Sequence, residues 1–243
     1  MATELIKFDR VVAGYGSLMV LNELTLDARQ GEITLLIGPN GAGKSTVLKT
    51  LFGLVPPRSG EIRLEGDRVA GKTPRQLLSA GIAFVPQGRS LFPSLSVRHN
   101  LELGGMTLAS KTLRERIEEV FARFPRLRER AGNQASTLSG GEQKQLEIGR
   151  ALLLRPRVIL IDEPSIGLSP KLSQEVFGLL RSLTDGGATV LLVEQNVRSA
   201  LAVADRAIAL ESGRVVLDRP AAELLEDPDL NRLFLGGTAT QRR

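Results

Sequence analysis

Glu32-Ile-Thr-Leu-Leu-Ile-Gly-Pro-Asn-Gly-Ala-Gly-Lys-Ser-Thr-Val-Leu-Lys-Thr-Leu51 decides the reading of this chain. Glu32 to Ile37 is a short, nearly continuous apolar run, which predicts a buried strand. Val47, Leu48 and Leu51 fall on one face of a predicted helix. Between them, Gly38-Pro39-Asn40-Gly41-Ala42-Gly43-Lys44-Ser45, with Thr46 beyond, has the spacing G-x-x-x-x-G-K-[ST] of a phosphate-binding loop. Glycines let successive backbone N–H groups converge on phosphate oxygens, and the following helix adds its positive N-terminal end. Lys44 is then expected to reach the β- and γ-phosphates and the Ser45 hydroxyl to ligate Mg²⁺.

A second strand signal further on completes such a site. Val158-Ile-Leu-Ile runs into Asp162-Glu163, so a buried parallel strand would deliver two carboxylates at its C-terminal edge, where α/β sheets bind ligands. Asp162 suits the second shell of Mg²⁺, and Glu163 suits orienting or deprotonating water. No Asn-Lys-x-Asp guanine reader is present, so ATP is the expected nucleotide, with simple kinases still open at this point. Leu138-Ser-Gly-Gly-Glu-Gln143 supplies another anion-binding element. Ser139-x-x-Glu142 forms a capping box ahead of a helix over Gln145–Leu154, while Gly140 and Gly141 expose N–H groups at its positive end. One chain has no obvious way to bring this element onto its own phosphate loop, whereas two chains arranged head to tail do.

The rest of the chain reads as an α/β core interrupted by a helical insertion. Ile6 to Val12 and Val20 to Leu26 are strands broken by Gly14-Tyr15-Gly16, and Gly60 to Gly66 brackets another. Thr73 and Pro74 mark a capped helix start. From about Leu95 to Leu154 the pattern is helical. Leu113, Ile117, Val120, Phe121 and Phe124 keep the 3.6 period, and Thr112-x-x-Glu115 reads as a capping box. Strand signals follow at Ala188–Val193, Ala207–Leu210 and Gly213–Leu217, then short C-terminal helices. The expected organisation is one domain over 1–243, with a nucleotide-binding core at about 1–87 and 155–243 and a helical subdomain at about 88–154.

Composition excludes several function classes. Of 243 residues, 42% are hydrophobic, enough for a buried core, while 4% are aromatic, too few for base-stacking platforms. There is no cysteine, so thiol catalysis and Cys-based metal sites are out. The single histidine, His99, excludes a His cluster and reads as a surface residue. No apolar run approaches the ~20 residues of a membrane-spanning helix, and Met1 to Lys7 carries no secretory pattern. The chain is expected to be cytosolic. A formal charge of +5 would suit nucleic acid or an acidic membrane surface, and reads first as a solvated arginine-rich surface. The basic run Arg123 to Arg130 reads as a solvated helix end.

The order of these motifs resembles the ATP-binding subunit of ABC transporters over nearly the whole chain. The implied fold is a P-loop NTPase core, a mixed and largely parallel sheet with helices on both faces, joined to an N-terminal antiparallel β lobe and a helical insertion. The resemblance implies that Tyr15 stacks on adenine. It further implies that Gln87, in Phe84-Val-Pro-Gln-Gly, touches Mg²⁺ and water, that Ser139 and Gly141 grip the γ-phosphate of an opposite protomer, that Glu163 is the catalytic carboxylate, and that Ser165 to Ser169 crosses the dimer. Two positions depart from the family. Gln195 stands where a histidine is usual, keeping a donor but unable to take a proton, and Ser169 replaces an aspartate. Gly88-Arg-Ser-Leu-Phe-Pro-Ser-Leu-Ser-Val, Phe124-Pro-Arg-Leu, Ser165-Ile-Gly-Leu-Ser-Pro, Val193-Glu-Gln-Asn and Leu233-Phe-Leu-Gly-Gly are similar to the branch serving branched-chain amino acids, urea and related amides. Implied partners are membrane-spanning permease subunits, a second ATPase that is a sister chain or a copy of this one, and, indirectly, an extracytoplasmic solute-binding protein. No nucleic acid is expected, and the implied location is the inner face of the cell membrane. The competing readings are a DNA-maintenance ATPase, which usually carries a long heptad insertion, a ribosome-binding ATPase, normally a tandem, and a regulator that binds ATP without turnover.

Overall fold

The computed structural model describes residues 3–88 and 90–226. Two long strands open the chain, β1 (Glu4–Tyr15) and β2 (Leu18–Arg29), folded back on each other at Gly16. Next come β3 (Ile33–Ile37), α1 (Lys44–Leu51), β4 (Pro57–Leu64), the short β5 (Asp67–Arg68), α2 (Pro74–Ser79) and β6 (Ile82–Val85). The helical stretch follows: α3 (Val97–Gly104), α4 (Ser110–Arg123), α5 (Pro125–Glu129), a 3₁₀ turn at Ala135–Thr137, and α6 (Gly140–Leu152). The chain then alternates through β7 (Val158–Asp162), α7 (Pro170–Asp185), β8 (Thr189–Val193) and α8 (Val197–Leu201). It ends, within the described residues, with β9 (Arg206–Glu211), β10 (Arg214–Pro220) and α9 (Ala221–Glu226). The Leu233-Phe-Leu-Gly-Gly motif lies outside the described residues. Among them, no helix is long and apolar enough to cross a membrane.

Two sheets organise these elements. The lobe sheet runs β2-β1-β4-β5 and is antiparallel. The core sheet runs β10-β9-β3-β8-β7-β6, parallel except for β10. Its central strands β3, β8 and β7 are buried along their whole length and almost wholly apolar, because both faces are covered. Val158 and Leu160 point to the side shared with the lobe and α1, while Ile159 and Ile161 point to the side covered by α7, α8 and α9. β8 alternates likewise, with Leu191 and Val193 against the lobe side and Val190 and Leu192 opposite. A further apolar cluster is centred in the helical stretch, where Leu101, Ile117, Phe121, Leu127, Leu146 and Ile148 meet, and it reaches α7 through Val176.

Local signals work where they have a partner. Thr73 caps α2 with Gln76 completing the box and Pro74 at the first turn. Two helix starts differ from expectation. α4 begins at Ser110 behind Ala109, with no side-chain cap, so Thr112 and Glu115 lie inside the helix and form no box. Leu113 packs closely against Gly105, holding this turn helical from its tertiary side. α6 begins at Gly140 rather than near Gln145, because the Ser139 box fixes its first turn directly. β6 has no separate forecast in the sequence; its four residues, Ile82 to Val85, pair only with β7.

Candidate functional site at the C-terminal edge of the sheet

β3, β7, β8 and β6 end side by side, and the loops leaving them carry most of the forecast residues. The 38–43 loop wraps the start of α1. Gly38 has φ 141°, and a Cβ there would come within 2.2 Å of the Leu210 carbonyl oxygen. Gly43, at φ 105°, ends the loop in left-handed geometry against Val20 and Leu21 of β2. Ala42 accepts from the Gly213 N–H (3.0 Å), tying the loop to the β9–β10 turn. Lys44 is buried, and its ammonium donates back to the carbonyls of Gly38 (2.7 Å) and Pro39 (2.9 Å). Burial lowers its pKa, opposed by the charges of Glu163 and Asp162. Pro39, Asn40 and Gly41 are exposed, while Thr46 is buried beneath the loop.

The two carboxylates are placed where the sequence forecast them. The Ser45 hydroxyl donates to Asp162 Oδ1 at 2.9 Å, although 117 positions separate the two residues. Asp162 is 1% exposed. Its pKa is raised chiefly by burial, with the Ser45 hydrogen bond opposing and the neighbouring Glu163 charge adding to the rise. The Gln87 side-chain amide donates to Glu163 Oε2 at 2.6 Å, joining the loop after β6 to the loop after β7. Glu163 itself sits at φ 48°, in the left-handed region, held by its N–H to the Val193 carbonyl (2.8 Å). Gln195, just past β8, is exposed and lines a cavity of about 290 Å³ together with Glu163, Ser165 and Glu194.

Other forecast residues stand apart. Tyr15 ends β1 opposite Leu18 and is 47% exposed, on the hairpin whose second strand touches Gly43. Ser139 and Gly140 are exposed at the start of α6. Among the described residues, no hydrogen bond or ion pair joins 139–141 to the phosphate loop. Gly141 has a packing reason beyond anion binding, since a Cβ there would come within 2.8 Å of Leu172 in α7. Ser169 caps α7, accepting from the Leu172 N–H. His99 is exposed beside Glu102. Arg126 pairs with Glu129, Arg128 with Glu118 and Arg130 with Glu142, as a solvated helix end would.

Sequence reasoning overlooked the residues that hold the loops. Asn100, fully buried, accepts from the Phe92 N–H and donates to the carbonyls of Phe92, Leu95 and Ser96. Glu147 accepts from the Ser90 N–H (2.8 Å) and from Lys144 (2.5 Å), and Arg150 donates to the Ser90 carbonyl (2.6 Å). Glu194 is 2% exposed and accepts four hydrogen bonds from two loops. Burial raises its pKa, and the bonds from Ser165, Asn196 and Gln195 oppose the rise. A charged residue closing an apolar run was the one visible sign.

Known proteins are similar to this chain in sequence and fold. The ABC transporter family profile matches residues 21–166. BraG of Pseudomonas aeruginosa, a high-affinity branched-chain amino acid transport ATP-binding protein, is 43% identical over 233 residues, covering 96% of this chain and all of the relative. LivF of Archaeoglobus fulgidus, a probable branched-chain amino acid transport ATP-binding protein, is 39% identical over 92% of this chain and 95% of its own length. A crystal structure of an ATP-binding cassette of an ABC transporter in its ADP conformation superposes with a TM-score of 0.86 at 25% identity, covering 97% of this chain and all of the other.

Proposed function

We propose, from the premise that the chain belongs to the ABC transporter family, a mechanism and a cargo for the ATP-hydrolysing transporter subunit that this membership makes it. Such subunits dimerise and work with membrane-spanning permease subunits. The cargo proposed is branched-chain amino acids or a related small amide, supported by the likeness to BraG and LivF over nearly their whole length. An extracytoplasmic binding protein would supply that solute, and the chain would sit on the inner face of the membrane.

The observation that carries the mechanism is the Ser45–Asp162 hydrogen bond, which closes the phosphate loop onto the carboxylate edge. Ser45, Asp162 and Gln87 offer a hydroxyl, a carboxylate and an amide oxygen, a donor set that fits a hard divalent cation such as Mg²⁺. That ion would neutralise charge on the β- and γ-phosphates. Residues 38–46 would cradle those phosphates with backbone N–H groups, and Lys44 would turn from the Gly38 and Pro39 carbonyls to the β- and γ-oxygens. Tyr15 would stack on the adenine. Gln87 occupies one oxygen of Glu163, leaving Oε1 to accept a proton from the attacking water. Gln195 would donate to the γ-phosphate as a neutral contact.

Ser139, Gly140 and Gly141 would complete the site on the opposite protomer, presenting a hydroxyl and the N-terminal end of α6 to the γ-phosphate. Two nucleotides would then be sandwiched between two chains. Binding closes the pair and hydrolysis removes the bridging phosphate. The stretch at about 88–154, whose apolar cluster joins it to α7 through Val176, would be the part that follows the permease. Light scattering on Glu163→Gln with ATP and Mg²⁺ tests this reading. A monomer-to-dimer shift that needs ATP is expected. Retained ATP binding without a shift would mean that the partner is a sister chain, and lost ATP binding would overturn the site.

A further inference from the structure

Glu194 has no part in the scheme above, yet it is the most heavily hydrogen-bonded carboxylate beside Glu163. It directly follows β8, and Val193 pairs with Asp162 in the neighbouring strand, so Glu163 and Glu194 leave adjacent parallel strands at the same level. Oε1 accepts from the Ser165 N–H at 2.8 Å, and Oε2 accepts from the Ser165 hydroxyl at 2.9 Å. Oε2 also accepts from the N–H groups of Gln195 (3.1 Å) and Asn196 (3.3 Å). All four partners are donors. The cavity beside it is lined by Glu163, Gln174, Gln195, Asn196 and serines, with no cation among its lining residues.

A local cap would need only the two bonds to the residues that follow Glu194. The two to Ser165 join a segment 29 positions away, which carries Glu163 at its start and Ser169 at its end. A carboxylate suits this junction because every partner gives a proton. A glutamine amide would set its own N–H₂ against one of those donors. We propose that Glu194 is a positioning residue that clamps the 163–169 segment to Gln195. The reach of that segment toward a partner protomer and the aim of Gln195 at the γ-phosphate then change as one movement. The inference rests on the ATPase reading given above.

Steady-state ATP hydrolysis and equilibrium ATP binding by the full chain test it, using wild type, Glu194→Gln, Ser165→Ala, Ser165→Thr and the Glu194→Gln/Ser165→Ala double variant. Glu194→Gln should lower kcat at least tenfold while ATP affinity stays within twofold of wild type and the chain remains folded at the assay temperature. Ser165→Ala should lower kcat by a smaller factor, Ser165→Thr should restore it, and the double variant should be no worse than Glu194→Gln alone. A kcat within twofold of wild type in Glu194→Gln overturns the clamp. So does a double variant whose loss is the product of the two single losses, or a kcat that falls only in step with ATP affinity and melting. If Glu194→Gln does not fold, Ser165→Ala against Ser165→Thr decides the matter by the same kcat criterion. A wild-type chain that binds ATP without hydrolysing it fails in a different place, overturning the ATPase reading itself.

Discussion

Two ionic centres in this molecule are built on opposite principles. At one end of the core sheet, Arg206 of β9 holds Asp27 of β2 at 2.7 Å and also bonds both oxygens of Asp218 in β10, so every charge there has a counter-charge. Those bonds raise the Arg206 pKa and help to hold Asp27 below the ordinary carboxylate range. At the other end, Asp162 and Glu194 are more deeply buried and meet mainly hydroxyls and N–H groups, and burial pushes both upward. The first centre fastens the lobe to the core. The second sets buried carboxylates against hydroxyls and N–H groups, with Lys44 and Lys49 acting on Asp162 by charge alone, an arrangement that suits binding a cation and moving a proton.

Removing charge at the sheet edge should cost rate, and removing it at the Arg206 centre should cost stability. The largest effect is expected for Glu163→Gln, a fall in ATP turnover of about 10²-fold or more with the melting temperature preserved, read by phosphate release. Equal turnover in this variant would erase the contrast. Arg206→Ala should instead leave turnover per folded molecule intact. It should remove about 1–3 kcal/mol, a value discounted because both aspartates are about one-third exposed, and urea denaturation would show it.

Acid sharpens the same contrast. Asp27 has a folded pKa below its unfolded one, so its contribution is complete above about pH 4 and is lost as pH falls through the folded value. Glu194 runs the other way, with its contribution complete below the unfolded value and lost as pH rises through the folded one. The stability advantage of wild type over Arg206→Ala, read from denaturation midpoints, should therefore shrink as pH falls from 6 to 3. A smaller loss, about 1 kcal/mol, is expected for Thr73→Ala from its helix cap. His99→Ala should stay within about 0.5 kcal/mol, since the side chain is exposed and only 4.0 Å from Glu102.

What could be read in the sequence was what a local run of residues specifies by itself. The apolar strands, the glycine spacing of 38–43 and the Asp162-Glu163 ending are each contained in a short window, and each lies where it was placed. Thr112 shows the limit, because its capping pattern is intact but Leu113 packs against Gly105 and carries the helix three residues further back. Gly141 was legible as a glycine that matters, though not for its contact with Leu172, thirty-one positions on. Glu194, Asn100 and Glu147 were not legible, since their partners are mostly backbone N–H and C=O groups, which every residue except proline carries alike.

Glu163 sits in the left-handed region at φ 48°, a conformation that costs a non-glycine residue about 1–2 kcal/mol. The carboxylate proposed for catalysis is therefore carried as a standing cost to the stability of the chain. In a lineage that kept nucleotide binding but gave up hydrolysis, this position would drift toward glycine or asparagine and the fold would grow firmer as the chemistry disappeared. Replacement of Glu163 by glycine or asparagine, unlike replacement by glutamine, would then leave a more durable protein, the reverse of ordinary decay.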